Sequence, residues 1–556
     1  MMRYKAIVLG ISFFALSIPR GGLAQLSLLD VTCKDEGRLD GRDAGRLDGG
    51  VEARLDGRDA GRLDDRVRIQ GRRLVDSYGR EVILRGANVG AKSGSFLPEH
   101  QSSEIHSLVN ATGVNFVRLY IHWHELEKQA LVFNEEYADR VETIVEDFND
   151  AGVYVLIDMH QDVWGAPFSG SGAPKWASLG LRERQTPMTK GLPWQAQYLD
   201  RRVYLSFHHF WNNESPKEGG VPLQEHYSRA LGLIVERLAG EDMVLGYDLM
   251  NEPFMGEEIE FALDELSKEL AQTLEGRHLR SATDALGEQD QELSKALLQK
   301  LIEEFRDKEV QNTALKSFAR ASAAFEKRLA AFYERVGKAV KAKDEEALLF
   351  IEPMALAGVG MTSYLPKPAL NDIVYTPHLY DCFMDSGLPF DGSAERVLRA
   401  LKKHEDKAEE LKAPLLLGEW GNLHGEDSMS FAETVGRAID SAHCGSAYWA
   451  HEPGLEKEEI FCSAFRPYPR RVAGELEEMH YRDGVFHLTY RGSSEIDAPT
   501  VIALPSCCFP GEIAIDIQSN GAIHQEVKED PRLLMIWSED FEVRVKVERK
   551  GNSNEC

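Results

Sequence analysis

Glu252 and Glu419 each close a short apolar run that reads as a buried β-strand. The first lies in Val244-Leu-Gly-Tyr-Asp-Leu-Met-Asn-Glu-Pro253 and the second in Pro414-Leu-Leu-Leu-Gly-Glu-Trp-Gly421. Two carboxyl groups can cut a glycosidic bond with retention. One protonates the leaving oxygen, the other attacks the sugar, and they stand about 5 Å apart across the bond. The two glutamates are 167 residues apart in sequence. Only a fold that gathers strand ends on one face brings them together, and a parallel α/β barrel does so. Taken alone, Asn-Glu-Pro is a weak signal, and Glu252 before Pro253 is also readable as a carboxylate at a helix start. The place of both glutamates at strand ends is what points to hydrolysis of a glycoside.

Other polar residues fall at the same level. Arg118 lies in Gly113-Val-Asn-Phe-Val-Arg-Leu119, where an inward guanidinium would hold Glu419 ionised as a nucleophile. Asn251 precedes Glu252; His160 and Asp162 close Asp158-Met-His-Gln-Asp162; His378 and Tyr380 close Tyr375-Thr-Pro-His-Leu-Tyr380. Trp449, at the end of a further apolar run, offers a flat face for a pyranose ring. Any one of these is readable as a satisfied structural group. Their recurrence at the ends of successive strands is not.

The elements that must position these residues follow from the apolar periodicity. Strands are predicted at 82–89, 114–123, 152–160, 244–251, 348–352, 372–380, 414–419 and 445–450, with helical patterns between them. The helix at 134–151 is typical: Asn134 as N-cap, Tyr137, Val141, Ile144, Val145 and Phe148 on one face, Gly152 as the stop. Eight such units predict a (β/α)8 TIM barrel at 67–474, enlarged by a helical insertion at about 256–312. Within and after the insertion, leucine and phenylalanine spacing marks helices near 259–274, 293–305 and 315–336, the third readable as the regular barrel helix. The extra helices are readable as a lid or membrane-facing rim, or as an inert hairpin at the side. Two short runs, Val67–Arg72 and Glu81–Arg85, suggest a hairpin leading into the first strand. From 475 to 556 short β-like stretches without helical period predict a small antiparallel β-sandwich.

At 556 residues the chain can bury a large core, and its net charge of −27 argues against nucleic-acid binding. Met1 to Ala24 carries the charged start, apolar stretch and small-residue end of a secretory signal, so the expected location is secreted or the lumen of the secretory or lysosomal route. Sequons at Asn110-Ala-Thr112 and Asn213-Glu-Ser215 suit a secreted glycoprotein but are weak evidence. Seven cysteines without metal-ligand spacing allow one or two disulfides and leave at least one thiol over. Residues 25–66 contain an exact repeat, Arg38–Asp48 recurring at 54–64. Each unit offers an isolated leucine, too little apolar surface to offset ordering entropy, so a disordered linker is expected. A calcium-binding reading lacks the acidic spacing of a calcium loop.

In the order Arg118, His160, Asn251-Glu252, His378, Tyr380, Glu419, Trp449, the constellation resembles glycoside hydrolase family 5, and Leu84-Arg-Gly-Ala-Asn88 is similar to that family's first strand. Asp158–Val163, Gly172-Ala-Pro-Lys-Trp176, Phe116–Trp123, Arg466-Pro-Tyr-Pro-Arg470 and the terminal sandwich resemble its endoglycoceramidase branch over residues 67 to 550. The resemblance implies Glu252 as acid/base, Glu419 as nucleophile, Lys92 and Asp162 as ligands of the first sugar, and Asn251 as a partner of the sugar 2-OH. It implies cleavage between glycan and ceramide, with a glycosphingolipid substrate, transient contact with a membrane or micelle, and no metal or organic cofactor. Relatives that remove one glucose from ceramide or sterols share Arg466–Arg470, so glycan length, first sugar and aglycone stay open, as does the oligomeric state. A family-5 β-glucanase on soluble glycans and a catalytically inactive glycan- or lipid-binding barrel are the competing readings. Deleting residues 25–66 is expected to leave activity and melting temperature nearly unchanged, measured by turnover and thermal melting; a large loss of either shows that the repeat folds or binds.

Overall fold

The computed structural model describes residues 66–99, 102–179, 194–216, 220–273, 308–381, 384, 390, 392–421, 428–529 and 531–550. The leader, the repeat up to Asp65 and the helix expected near 293–305 lie outside the described residues. The strands β1 (Arg68–Gln70), β2 (Arg73–Val75) and β3 (Glu81–Val82) form an antiparallel meander. They are followed by the parallel strands β4 (Arg85–Val89), β5 (Phe116–His122), β6 (Tyr154–His160), β7 (Val244–Asp248), β8 (Leu349–Ile351), β9 (Ile373–Tyr375), β10 (His378–Leu379), β11 (Leu416–Gly421) and β12 (Gly445–Trp449). The strand expected at 372–380 is split where Thr376-Pro377 intervenes, Pro377 having no N–H to donate. β9 and β10 are thus one crossing, and Tyr375 bridges in parallel to Leu415 at the foot of β11. Eight crossings close the sheet into the expected barrel.

Alternation sorts the barrel residues. In β5, Val117, Leu119 and Ile121 face the helices while Arg118, Tyr120 and His122 alternate with them; in β6, Val155, Ile157 and Met159 alternate with Asp158 and His160. Phe116, Leu156, Leu245, Phe350, Val374, Leu416 and Ala447 fill the foot of the interior with apolar side chains. Above that layer the inward residues are polar and mostly charged. The apolar plug closes one end, so the charges face the C-terminal rim.

The C-terminal unit contains two antiparallel sheets, one of four strands and one of seven, around their own apolar core. The seven-stranded sheet includes β1, β2 and β3, because β3 pairs with β13 (Tyr468–Val472). The N-terminal meander therefore belongs to the sandwich rather than leading simply into the barrel, its first turn is at Gly71-Arg72, and the sheet takes in residues before 475. Arg466, from the string noted above, joins the two units. Its Nε donates to Asp440 of the barrel helix Ser428–Ala442 at 2.8 Å, and its guanidinium covers Tyr481 and donates to the Tyr481 carbonyl. A disulfide, Cys462–Cys507, spans the same boundary, and Cys444 and Cys508 are buried free thiols. Cys33, Cys382 and Cys556 lie outside the described residues.

After β7 the helix Glu258–Thr273 runs antiparallel to Lys308–Lys341, with Glu258 on Arg328 at 2.6 Å and Glu265 on Arg320 at 2.8 Å. The third expected helix is therefore longer than 315–336. Glu326 sits at rim level, accepting from Met354 N–H just past β8. At 1.5 Å per residue the segment from there back to Lys308 extends about 27 Å past that level. The described flanks of the insertion pair as two antiparallel helices, and residues 274–307 between them lie outside the described residues. Replacing Arg466 by methionine leaves Asp440 buried with only Arg85 facing it, at 3.6 Å. The expected cost is about 3 kcal/mol, read as a lower denaturation midpoint with barrel activity retained below it; an unchanged midpoint contradicts the clamp.

Candidate active site

Arg118 is buried at the centre of the rim. Its Nη1 donates to Glu419 Oε1 at 2.8 Å and to Asn88 Oδ1 at 3.1 Å. Its Nε and Nη2 reach Asp248 Oδ2 at 3.1 and 2.9 Å. Nη2 also lies 2.9 Å from Asn251 Oδ1, 2.8 Å from Glu352 Oε1 and 3.1 Å from Asp158 Oδ1. Burial alone would lower its pKa, but the surrounding carboxylates raise it well above the ordinary value. The parallel register pairs these groups across neighbouring strands: Arg118 beside Asn88, Asp158 beside Asp248, His378 beside Glu419.

Glu252 follows β7 with a left-handed backbone, φ 43°. That conformation costs a non-glycine residue about 1–3 kcal/mol and persists only where its surroundings fix it. Gln161 Nε2 donates to the carbonyls of Asn251 (3.1 Å) and Glu252 (2.8 Å), and the Glu252 N–H donates to Glu352 Oε2 at 2.9 Å. Its carboxylate projects to His378 Nδ1 at 2.9 Å. Glu419 accepts from Tyr380 OH at 2.8 Å and lies 3.4 Å from His378 Nδ1. Oxygens of the two glutamates and a His378 nitrogen all fall within 4.8 Å of one another. Asn251 spends one amide hydrogen on the Gln161 carbonyl, leaving the other for a ligand.

A second group lies alongside. Lys92 Nζ is 2.6 Å from Asp162 Oδ2, and His160 stands between Asp158 (2.7 Å) and Asp162 (3.4 Å). The Trp449 indole is stacked on His160 at 5.4 Å and under the Lys92 ammonium at 4.3 Å. All ten residues singled out in the sequence therefore stand on the C-terminal face, joined through Asp158 into one network. Asp248, Asp158, Glu352, Asn88 and Gln161 were not singled out. The available signal was a carboxylate inside or ending an otherwise apolar parallel strand, which has to face a partner inside the barrel.

The electrostatics separate the carboxyl groups. Burial and the neighbouring Glu352 carry Asp248 well above the usual range despite Arg118. Burial raises Glu419, and His378 and Arg118 offset this without reversing it. Arg118 therefore limits the rise, acting on Glu419 in the direction expected from sequence. Burial would raise Asp162 too, but Lys92 and His160 hold it below the usual range. His378 would be lowered by burial, yet Glu352 and Glu419 raise it well above an ordinary histidine. Glu252, His378 and Glu419 have the donor types of a metal site. However, a cationic imidazole with Nδ1 facing Glu252 and Nε2 3.1 Å from Glu352 offers protons, not a lone pair. The trio suits proton sharing across a gap of sugar-bond size.

His160 titrates at about 9, burial being overcome by Asp158 and Asp162. A histidine raised from 6.5 contributes stability that is fully present below pH ~6.5 and lost as pH rises through its folded value. His160→Gln should therefore destabilise most at pH ~6, and the gap to the parent should shrink by pH ~9.5. Denaturation at several pH values measures it, and a gap that is independent of pH removes the charged His160 from the network.

Comparison with known proteins follows the same division of the chain. The model of cellulase (glycosyl hydrolase family 5) matches residues 75–276 and 294–454, and that of the glycoside hydrolase family 5 C-terminal domain matches 466–547. Endoglycoceramidase I of Rhodococcus hoagii is 24% identical over 477 residues, 81% of this chain and 82% of that protein. A glucosylceramidase of Cryptococcus neoformans is 28% identical over 250 residues, 34% of this chain and 33% of that protein. The structure of endo-glycoceramidase II from Rhodococcus sp. in complex with ganglioside GM3 superposes with a TM-score of 0.64 at 26% identity, covering 87% of this chain and 100% of that one.

Proposed function

This chain belongs to glycosyl hydrolase family 5 and is a glycoside hydrolase, and from that premise we propose that it cleaves, with retention, the β-glycosidic bond between glycan and ceramide in glycosphingolipids. The observation that carries the reading is the pair Glu252 and Glu419 with oxygens within 4.8 Å and one histidine between them. That spacing is shorter than the roughly 6.5–9.5 Å of an inverting pair and suits a nucleophile and an acid/base on one bond.

In the first step a Glu419 oxygen bonds to the anomeric carbon, the bond from that carbon to the ceramide oxygen breaks, and the Glu252 proton passes to that oxygen. In the second, Glu252 takes a proton from water, whose oxygen bonds to the anomeric carbon as Glu419 departs. Tyr380 and His378 orient the two carboxylates, and the free amide hydrogen of Asn251 is placed for the sugar 2-OH, a contact that tightens in the transition state. Lys92, Asp162, His160 and the Trp449 face hold the first sugar.

The lipid part rests on the endoglycoceramidase relatives and on the rim. Leu131, Val132, Phe261, Tyr364 and Met429 are exposed, all in connections that follow barrel strands. Each methylene kept out of water contributes about 0.8 kcal/mol, so such a rim favours transient contact with a membrane or micelle during extraction of a two-tailed substrate. A secretory or lysosomal lumen fits the leader and the Cys462–Cys507 disulfide. The glucosylceramidase relative keeps removal of a single glucose as the second reading.

Glu252→Gln and Glu419→Gln should each lower turnover by about a thousandfold or more with unchanged melting. Azide should partly rescue only the Glu252 variant on an activated aryl glycoside; a rate within about tenfold of the parent removes that residue from catalysis. In detergent the parent should release intact glycan from lactosylceramide and ganglioside. Equal turnover of soluble cello-oligosaccharides replaces this reading by a β-glucanase, and release of glucose from glucosylceramide alone replaces it by a glucosylceramidase.

A further inference from the structure

We infer that Glu352, at the end of β8, is a positioning residue that sets both the acid/base and its histidine. The inference rests on Glu252 being the general acid. Glu352 is buried, and its side chain holds three separate handles. Oε2 accepts the Glu252 N–H at 2.9 Å. Oε1 lies 3.1 Å from Nε2 of His378, whose Nδ1 faces the Glu252 carboxylate. The same Oε1 accepts from Arg118 Nη2 at 2.8 Å, and that guanidinium also holds Glu419. One carboxylate thus touches the backbone of the acid, the imidazole on the acid, and the guanidinium on the nucleophile. It touches neither reacting carboxylate directly, and it stands behind them.

Its own place is fixed from the other side. Tyr333, in the helix Lys308–Lys341, donates its hydroxyl to the Glu352 carbonyl at 2.8 Å and accepts the Glu352 N–H at 3.2 Å. Arg118, Asp248, His378, Tyr227, Tyr333 and Tyr375 are the titratable and charged groups that face it from the neighbouring strands and helices. Of these, His378 is the cation between Glu352 and Glu252, and Arg118 the cation between Glu352 and Glu419. The left-handed backbone at Glu252 explains why such a group is needed. The Glu252 N–H points away from any strand partner, and without an acceptor it would be left unpaired in the rim. Glu352 supplies that acceptor, and its charge favours the imidazolium facing Glu252.

A residue that acts through the acid should matter in proportion to how much the leaving group needs a proton. A phenol carrying nitro groups departs unassisted; an unsubstituted phenol or an alcohol does not. The test compares wild type, Glu352→Gln and Glu252→Gln on dinitrophenyl and unsubstituted phenyl β-glucosides and β-lactosides, with melting temperature alongside. Glutamine keeps the size of Glu352 but cannot accept at both ends. Glu352→Gln is expected to lose about a hundredfold on the phenyl glycosides and less than about tenfold on the dinitrophenyl ones. The alkaline limb of its kcat/KM profile, which reports the acid, should also move to lower pH, because removing a neighbouring anion lowers the pKa of the Glu252 carboxyl. Loss of equal size on both leaving groups, or an unmoved alkaline limb, overturns the inference and leaves Glu352 a structural group. Should Glu352→Gln fail to fold, Glu352→Asp, which withdraws the carboxylate by one methylene, is read by the same ratio. Glu252→Gln separates the two levels. If it lacks the leaving-group dependence, or if wild type turns over neither series, the acid assignment falls and this inference with it. If it shows the dependence and Glu352→Gln does not, only Glu352 is misassigned.

Discussion

A guanidinium with no solvent exposure lies at the centre of this protein, and its placement constrains the barrel around it. Removing such a group from water costs several kcal/mol, recovered only if every N–H meets an acceptor in good geometry. Arg118 meets acceptors from β4, β6, β7, β8 and β11 or the residues that follow them: Asn88, Asp158, Asp248, Asn251, Glu352 and Glu419. The strands are held in the register that keeps those acceptors within reach of the guanidinium. The apolar layer below, from Phe116 to Ala447, excludes water from the other side. Stability and catalysis therefore share one set of contacts, since the group that satisfies Arg118 on the β11 side is also the proposed nucleophile.

Charge balance organises the rest of the rim. Six carboxyl groups (Asp158, Asp162, Asp248, Glu252, Glu352 and Glu419) face four cationic side chains (Arg118, Lys92, His160 and His378). Burial and Glu352 push the Asp248 carboxyl upward. The proposed mechanism asks for a proton on Glu252, the acid that gives it to the leaving oxygen. Lys92 and His160 fix the Asp162 charge on the side assigned to the sugar.

Much of this was legible in the sequence, for identifiable reasons. Parallel strands buried on both faces leave continuous apolar runs, and a polar residue at the end of such a run marks the open face; that pointed to nine of the site residues, while Lys92 came from the family resemblance alone. Groups within the runs were harder. Asp248 and Glu352 carry the same signal, but only the register shows that they converge on Arg118 and, for Glu352, on His378. The break between β9 and β10 was hidden because Thr376-Pro377 sits inside an otherwise strand-like stretch. The capture of β1–β3 by the C-terminal sheet depends on pairing between residues almost 400 positions apart, Val82 with Arg471, and local pattern carries no trace of it. The Cys462–Cys507 pairing was likewise undetermined, since spacing among seven cysteines fixes no partner.

The central claim is that Glu419, held by Arg118, Tyr380 and His378, attacks the sugar while Glu252 stands opposite as the acid. The direct measurement is to trap the glycosyl-enzyme with a 2-fluoro glycosyl fluoride of lactose or glucose, digest it, and locate the added sugar by mass spectrometry. The account predicts one sugar per chain, on the peptide Pro414–Gly421 at Glu419, with inactivation slowed by a competing glycoside. Label on Glu252 or another residue, or turnover without a trapped species and with inversion at the anomeric carbon, contradicts it.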